Sequence, residues 1–399
     1  MPTPLALARL ERATGVTRVA RVTGLDRAGV EVACAVRPGG HVLQVSNGKG
    51  LTWAEARAGA VLEATELWAA ETPDPASLLF ASAAELGHHA WPLEDQLAAP
   101  RLYSREARLA WVRASVLAGP GAGGEVLVPA AAVFCPPADG PWLGPAAHRW
   151  TSNGMGAHPD GDAALLHALL EALERDGLAR ALPEGWTPAQ LRSRRLLPAS
   201  LAETAPEVAA LVERLSSQGL EAALFDLTPR ALTPRASTPR ASTWRALNPR
   251  GRSAHGPSAR GRARLPVALA GALLLDTERG AIPVTAGYAC ALDAAAALRS
   301  ALLEAAQSRL TDVHGAREDV APADQGALRG LAEACAAAQG KLPAGSLEPR
   351  DRVSDVHQLL RALPACGVER LAAVRLTPEG FPAAVLKVLA PGLSLSGLL

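Results

Sequence analysis

An α+β fold, with mixed sheets covered by helices, is what this sequence predicts, and two observations carry the prediction. Apolar segments of strand and helix period alternate along the chain, the mark of helices packed on sheets. One pattern is also written three times, as pseudo-repeated loop–helix units: a small-residue loop, an N-cap residue, a helix, and a glutamate eleven residues after the cap. The loops are Ser46–Gly50, Ser152–Gly156 and Thr285–Ala289, and the caps are Thr52, Asp160 and Asp293. The glutamates are Glu63, Glu171 and Glu304, followed three positions on by Glu66, Glu174 and Gln307. Spacing of i and i+3 places each pair on one helix face.

The elements follow in order. Residues 17–45 read as two strands around Gly29, with Val30, Val32, Cys34 and Val36 alternating as in a half-buried strand. Helix 53–70 opens on a capping box, Thr52 covering an orphan N–H and Glu55 reaching back. Residues 75–125 form a looser region before a strand near Glu125–Val128. The second unit spans 150–180, then come a helix over Pro198–Gln218 and a strand over Ala222–Leu227. The third unit starts at the apolar strand Val267–Leu275 and ends in helix 293–310, and Leu371–Leu376 and Ala383–Leu389 supply two last strands.

Residues 228–264 stand apart. Five pentapeptide copies, from Thr228–Leu232 to Asn248–Arg252, carry proline in four, and the segment holds nine arginines and no acid. Proline at that density forbids a regular helix or a central strand, so the segment is expected to be a disordered insertion. A tandem duplication in a surface loop accounts for it more simply than an arm for an acidic partner or RNA.

Composition narrows the function. Lys+Arg of 40 against Asp+Glu of 39 leaves no global field for specific nucleic acid or a membrane surface. Cys34, Cys135, Cys290, Cys335 and Cys366 are odd in number and never in CxxC spacing, which argues against a disulfide framework or a zinc knuckle. No apolar run reaches the ~20 residues of a membrane helix, and the N-terminus carries no signal-peptide pattern, so a cytoplasmic location is expected.

The triple unit suggests a shared anion site. Glycines in the loops let backbone N–H groups approach a phosphate, with Ser46, Ser152 and Asn153 as further donors and Lys49 as a positive charge. Glutamates repel a polyphosphate unless Mg²⁺ bridges them, which makes Glu63, Glu66, Glu171, Glu174 and Glu304 candidate metal and nucleotide ligands. Arg175 and Arg309 could then stabilise charge on a transferring phosphoryl group. Walker A, HExxH and GxSxG patterns are missing, and a Rossmann dehydrogenase is not supported. His167 with Glu171 and Glu174 leaves open a transition-metal enzyme.

In these motifs the chain resembles the YcaO-domain family. The likeness rests on Thr23–Val32, Gly48-Lys49-Gly50 with Glu63 and Glu66, Ser152-Asn153-Gly154 with Leu169–Asp176, and Ala301–Leu310 continuing to Gly315–Asp319. It covers about residues 17–325 and fades beyond, apart from Ala390–Leu393. The resemblance implies one YcaO-like domain over 1–399 with C-terminal strands to 393, and the family's own kind of ATP site. It implies a reaction in which ATP phosphorylates a peptide-backbone amide oxygen before a nucleophile attacks the amide carbon. ATP and Mg²⁺ would be held by Glu63, Glu66, Glu171, Glu174 and Glu304, with Ser46, Lys49, Ser152, Asn153, Arg175, Gln307 and Arg309 on phosphates or nucleotide. Gly59 stands where the family often has serine, and Leu67 where arginine often follows the glutamate pair. The last residues, Leu393–Leu399, lack the proline-rich tail of azoline-forming members and point to the thioamide-forming branch. That branch implies a peptide or protein substrate, a TfuA-like partner and a sulfur donor, with a homodimer left open. The weak first helix also leaves room for a non-catalytic ATP- or peptide-binding scaffold.

Overall fold

The computed structural model describes residues 2–229, 264–278, 280–315 and 324–394, so the arginine-rich repeats lie almost wholly outside the described residues. Helix α1 (Pro4–Thr14) leads into β1 (Arg18–Arg21), β2 (Glu31–Val36), β3 (Val45–Gly50) and α2 (Trp53–Glu71). Next come β4 (Leu79–Ser82), the long β5 (Arg108–Ala118), β6 (Glu125–Pro129), β7 (Met155–His158) and α3 (Gly161–Ala181). Then follow α4 (Pro206–Ser217), β8 (Leu220–Asp226), β9 (Ala268–Asp276), β10 (Val284–Ala291) and α5 (Ala294–His314). The last main elements are α6 (Gln325–Ala337), α7 (Val356–Ala362), β11 (Leu371–Arg375) and β12 (Ala384–Leu389).

The strands form three sheets, ordered β1-β2-β3, β10-β9-β8, and β4-β5-β11-β12-β7 with β6 also paired to β5. The fold is α+β as expected, and the pairings between these strands are all antiparallel, so the mixture is of helix and sheet. Strand β9 is apolar from Ala268 to Leu275 because both its faces are covered. Ala268, Ala270, Ala272 and Leu274 face the core made with α4 and α5, whereas Leu269, Leu273 and Leu275 face the end of α3 and Cys335 of α6.

Each sheet ends on the strand that feeds one of the three glutamate-bearing helices: β3 into α2, β7 into α3, and β10 into α5. The three caps form as expected, Thr52 accepting from the amide of Glu55, Asp160 from Ala163 and Asp293 from Ala296. The preceding segments differ from the expected loops. Ser46–Gly50 and Thr285–Ala289 are edge strand, and only Ser152–Gly154 remains a turn before β7.

The glycines serve packing. A Cβ on Gly48 would stand 2.0 Å from the carbonyl oxygen of Ala56 and 2.2 Å from the amide nitrogen of Ala60. Gly156 meets Ala164 and Ala168 in the same way, and Gly287 meets Ala301 and Ala305. Each helix therefore lies directly on its strand, alanine against glycine, and brings its glutamates to the strand's open edge.

Two other elements depart from expectation. The helix foreseen over Pro198–Gln218 is broken, because Pro206 starts a new helix and holds Ala205 at φ −148°, out of the helical region. The looser region before residue 125 contains the eleven-residue β5, the spine of the largest sheet.

Candidate active site

The unpaired edges of β3, β7 and β10 present free amides, and the helical glutamates occupy them. Glu63 accepts from the amide of Asn47 at 2.7 Å, and Glu66 from that of Ala157 at 2.8 Å. Glu174 accepts from Cys290 at 3.0 Å, and Glu304 from Tyr288 at 3.3 Å. The pattern runs around a ring of units. Helix α2 reaches β7, α3 reaches β10, and α5 closes the ring on β3, where Lys49 Nζ donates to Glu304 Oε2 at 2.7 Å. Asn47 Nδ2 also donates to Thr311 Oγ1 of α5 at 3.0 Å.

The five predicted glutamates are linked in a chain of electrostatic contacts, Glu63 and Glu171 acting on Glu66, and Glu304 and Glu171 on Glu174. Burial, then Glu171 and Glu63, push the Glu66 carboxyl well above the usual carboxylate range, against the pull of the Ala157 amide and Lys387. Burial and Glu304 likewise raise Glu174 to about 8, although Arg175 and Lys49 oppose the shift. Arg175 lies 3.4 Å from Glu171 and 4.0 Å from Glu174. Burial works against its charge, but Glu174, Glu171 and Glu304 outweigh it and hold the guanidinium more firmly protonated.

The other predicted residues divide. Asn153 is tied to the cluster through Lys387, to whose Nζ its carbonyl is bonded, and its Oδ1 is buried without a partner among the described residues. Ser152 is exposed in the same turn, Ser46 is buried on β3, and Gln307 is half-buried one turn beyond Glu304. Arg309 is not brought to the cluster by any contact among the described residues. Its guanidinium donates to Asp26 at 3.0 Å, to Asp276 at 3.0 Å and to the Ile282 carbonyl at 2.9 Å. Asp26 and Arg309, both in motifs that carry the family likeness, thus form a buried ion pair.

Lys387 escaped sequence reasoning. It lies on β12 opposite Met155 of β7, and its Nζ donates to the carbonyls of Thr151 and Asn153, each at 2.5 Å. Burial lowers its pKa to about 8 against the pull of Glu171 and Glu66. A charge inside the apolar run Val385–Leu389, and one of only three lysines in the chain, was the available signal.

The donor set suits Mg²⁺ bridged to phosphate better than a closed metal cage. Among the described residues no three His, Cys, Asp or Glu side chains converge to hold a metal ion, which leaves the His167 transition-metal reading without its ligands. His167 is itself open to solvent, while the surrounding protein, and secondarily Lys49 and His158, lower its pKa despite Glu171. Mg²⁺ keeps several waters and needs only one or two carboxylates plus phosphate oxygens. Half-buried carboxyls with raised pKa and the orphaned Asn153 oxygen both fit such a cation.

Carboxylates from three helices, with Lys49 and Arg175 among them, form a charge cluster of the kind that a Mg²⁺-bound nucleotide would suit. The chain belongs to the YcaO family: the YcaO cyclodehydratase model, described as ATP- and Mg²⁺-binding, matches residues 47–236 and 244–394. The match continues through the C-terminal strands, beyond the point where the motif likeness fades. Membership makes it an ATP- and Mg²⁺-dependent enzyme of a peptide-modifying family. An uncharacterised protein in the tfuA 3′ region of Rhizobium leguminosarum bv. trifolii is 27% identical over 95% of this chain and 84% of its own length. YcaO from Methanopyrus kandleri, solved with AMPPCP and Mg²⁺, shares the fold at a TM-score of 0.66 and 22% identity, covering 97% of this chain and 88% of that one. A heterocyclase in complex with substrate and cofactor shares it at 0.68 and 18% identity, over 98% of this chain and 52% of that one. No helix among the described residues is long and apolar enough to cross a membrane.

Proposed function

We propose that this enzyme activates a peptide-backbone amide with ATP and delivers a sulfur nucleophile to it, giving a peptide thioamide. The linked cluster of Glu63, Glu66, Glu171, Glu174 and Glu304 with Lys49 and Arg175 supports the reading. An amide is a poor electrophile, and its oxygen must first become a leaving group. The amide oxygen takes the γ-phosphoryl group as ADP leaves; a sulfide equivalent then attacks the carbon, and phosphate departs with the original oxygen. Mg²⁺, when bound, would join the carboxylates to the phosphates and offset their mutual repulsion. Arg175 lies against Glu171 and Glu174, where its charge can oppose negative charge on the transferring group. Lys49 sits between two units and contributes a second cation.

The relative in a tfuA 3′ region supports a TfuA-like partner and hence a sulfur donor. The family's description as cyclodehydratases favours a second reading, in which a Cys, Ser or Thr side chain of the substrate attacks and an azoline forms. Incubation of the enzyme with a precursor peptide, a TfuA-like protein, sulfide and Mg-ATP separates them by mass. Exchange of oxygen for sulfur supports thioamidation, and loss of water supports the azoline. In either case Glu171→Gln should abolish ATP turnover without unfolding the protein, and retained turnover would sink the assignment; nucleotide binding without phosphate release by the wild type would instead favour the scaffold.

A further inference from the structure

Lys387 is 3% exposed on a strand whose other buried residues include Val385, Val388 and Leu389. An apolar residue would pack there without desolvation cost, so a buried ammonium calls for a specific use. The chain meets nearly all its demand for positive charge with arginine: three of its 40 Lys+Arg residues are lysine, Lys49, Lys341 and Lys387. Two of those three stand beside the glutamate cluster. A compact point charge with three donors suits a narrow space between strand and turn, where a planar guanidinium does not.

Two of the three donors of Lys387 go to the carbonyls of Thr151 and Asn153. The amide of Val388, the next residue, donates to the Gly154 carbonyl at 2.8 Å. Strand β12 therefore clamps the whole turn that leads into β7. The turn needs Gly154, whose φ is +75° and where a Cβ would stand 2.9 Å from the Val388 carbonyl oxygen. It carries Asn153, whose side-chain oxygen is buried and unpartnered.

We infer that Lys387 is a positioning residue of the nucleotide site, fixing the Thr151–Gly154 turn so that the Asn153 side-chain oxygen is held ready for Mg-ATP. The inference rests on the proposed role of the glutamate cluster as the Mg-ATP site. Lys387 acts through Asn153, so the two should not contribute independently.

Binding of AMPPCP with Mg²⁺ is measured by calorimetry on the full chain, for the wild type, Lys387→Met, Asn153→Ala, the double variant and Glu171→Gln, with ligand-free melting recorded for each. Lys387→Met and Asn153→Ala should each weaken binding about tenfold, the worth of one charge-assisted hydrogen bond, and the double variant no further. Wild-type affinity in Lys387→Met, or additive losses in the double variant, would overturn the inference. If Lys387→Met does not fold, Gly154→Ala shifts the same turn and leaves Lys387 in place; it should weaken binding, and unchanged affinity would again overturn the inference. Wild-type binding by Glu171→Gln would instead remove the site reading itself, a distinct failure.

Discussion

Lys49 Nζ lies 2.7 Å from Glu304 Oε2, joining the first strand–helix unit to the third and closing the ring of contacts around the carboxylates. Both side chains keep more than a quarter of their exposure, so the pair is a modest stabiliser, worth ~1 kcal/mol or less. Its place between two units gives it a larger role in binding phosphate.

Lys49→Met should therefore lower the ligand-free melting temperature by about 4 °C at most. The same change should weaken Mg-ATP binding about tenfold. Calorimetry and a thermal melt on one preparation check both, and unchanged affinity would place the phosphates elsewhere.

The raised pKa of Glu174 makes a pH prediction. Below its ordinary value of 4.5 the carboxyl is protonated in both folded and unfolded chains. As pH rises towards about 8, the unfolded chain ionises freely while the folded one resists, so native stability falls through that window. Burial, then Glu304 and Glu171, raise the group, and Arg175 and Lys49 oppose them. Glu174→Gln cannot ionise but keeps an acceptor for the Cys290 amide. Without ligands it should melt above the wild type at pH 8.5, and the gain should vanish towards pH 4.5. Parallel melting curves across that range would contradict the shift. Lys387, depressed to about 8, slopes the opposite way but is present in both proteins.

The strand glycines predict a graded series. A Cβ at Gly48 meets helix backbone at 2.0 Å, and α2 cannot stay on β3, so Gly48→Ala should cost ~3 kcal/mol or more. At Gly59 the nearest atom, Gly48 Cα, is 3.3 Å away, and Gly59→Ala, offset by up to ~1 kcal/mol of helix propensity, should cost far less than Gly48→Ala. Denaturant midpoints decide; equal costs would mean that glycine–alanine contact does not hold the unit together.

Arg309→Met separates support from chemistry. It leaves Asp26 and Asp276 buried with one cation fewer, although Arg27 still bonds Asp276 at 2.7 Å. The loss should be about 3 kcal/mol of stability. The KM for ATP of the folded protein should stay unchanged, since Arg309 contacts none of the five glutamates. A raised KM would return Arg309 to the phosphate site that its motif suggests.

Local signals were the legible ones. The caps Thr52, Asp160 and Asp293 fix helix starts through contacts within three residues, and the phase of the glutamates follows from them. The glycines were visible, but a glycine that admits a phosphate and one that admits a helix look alike in sequence. Only the approach of Ala56, Ala164 and Ala301 distinguishes them. Arg309 sits in the right motif, yet its direction depends on Asp26 and Asp276, 283 and 33 residues away. Lys387 depends on β12 pairing with β7 across more than 200 residues, a register that no local pattern records.

The most direct test of the central claim is a thermal melt with ATP, with Mg²⁺, with both and with neither. Carboxylates that reject phosphate unless a cation joins them should give a clear upward shift only with both ligands, about 2.7 kcal/mol at a hundredfold excess over Kd. Four superimposable melts at millimolar ATP and Mg²⁺, or an equal shift with ATP alone, would contradict a site in which the glutamates of three helices hold Mg-ATP.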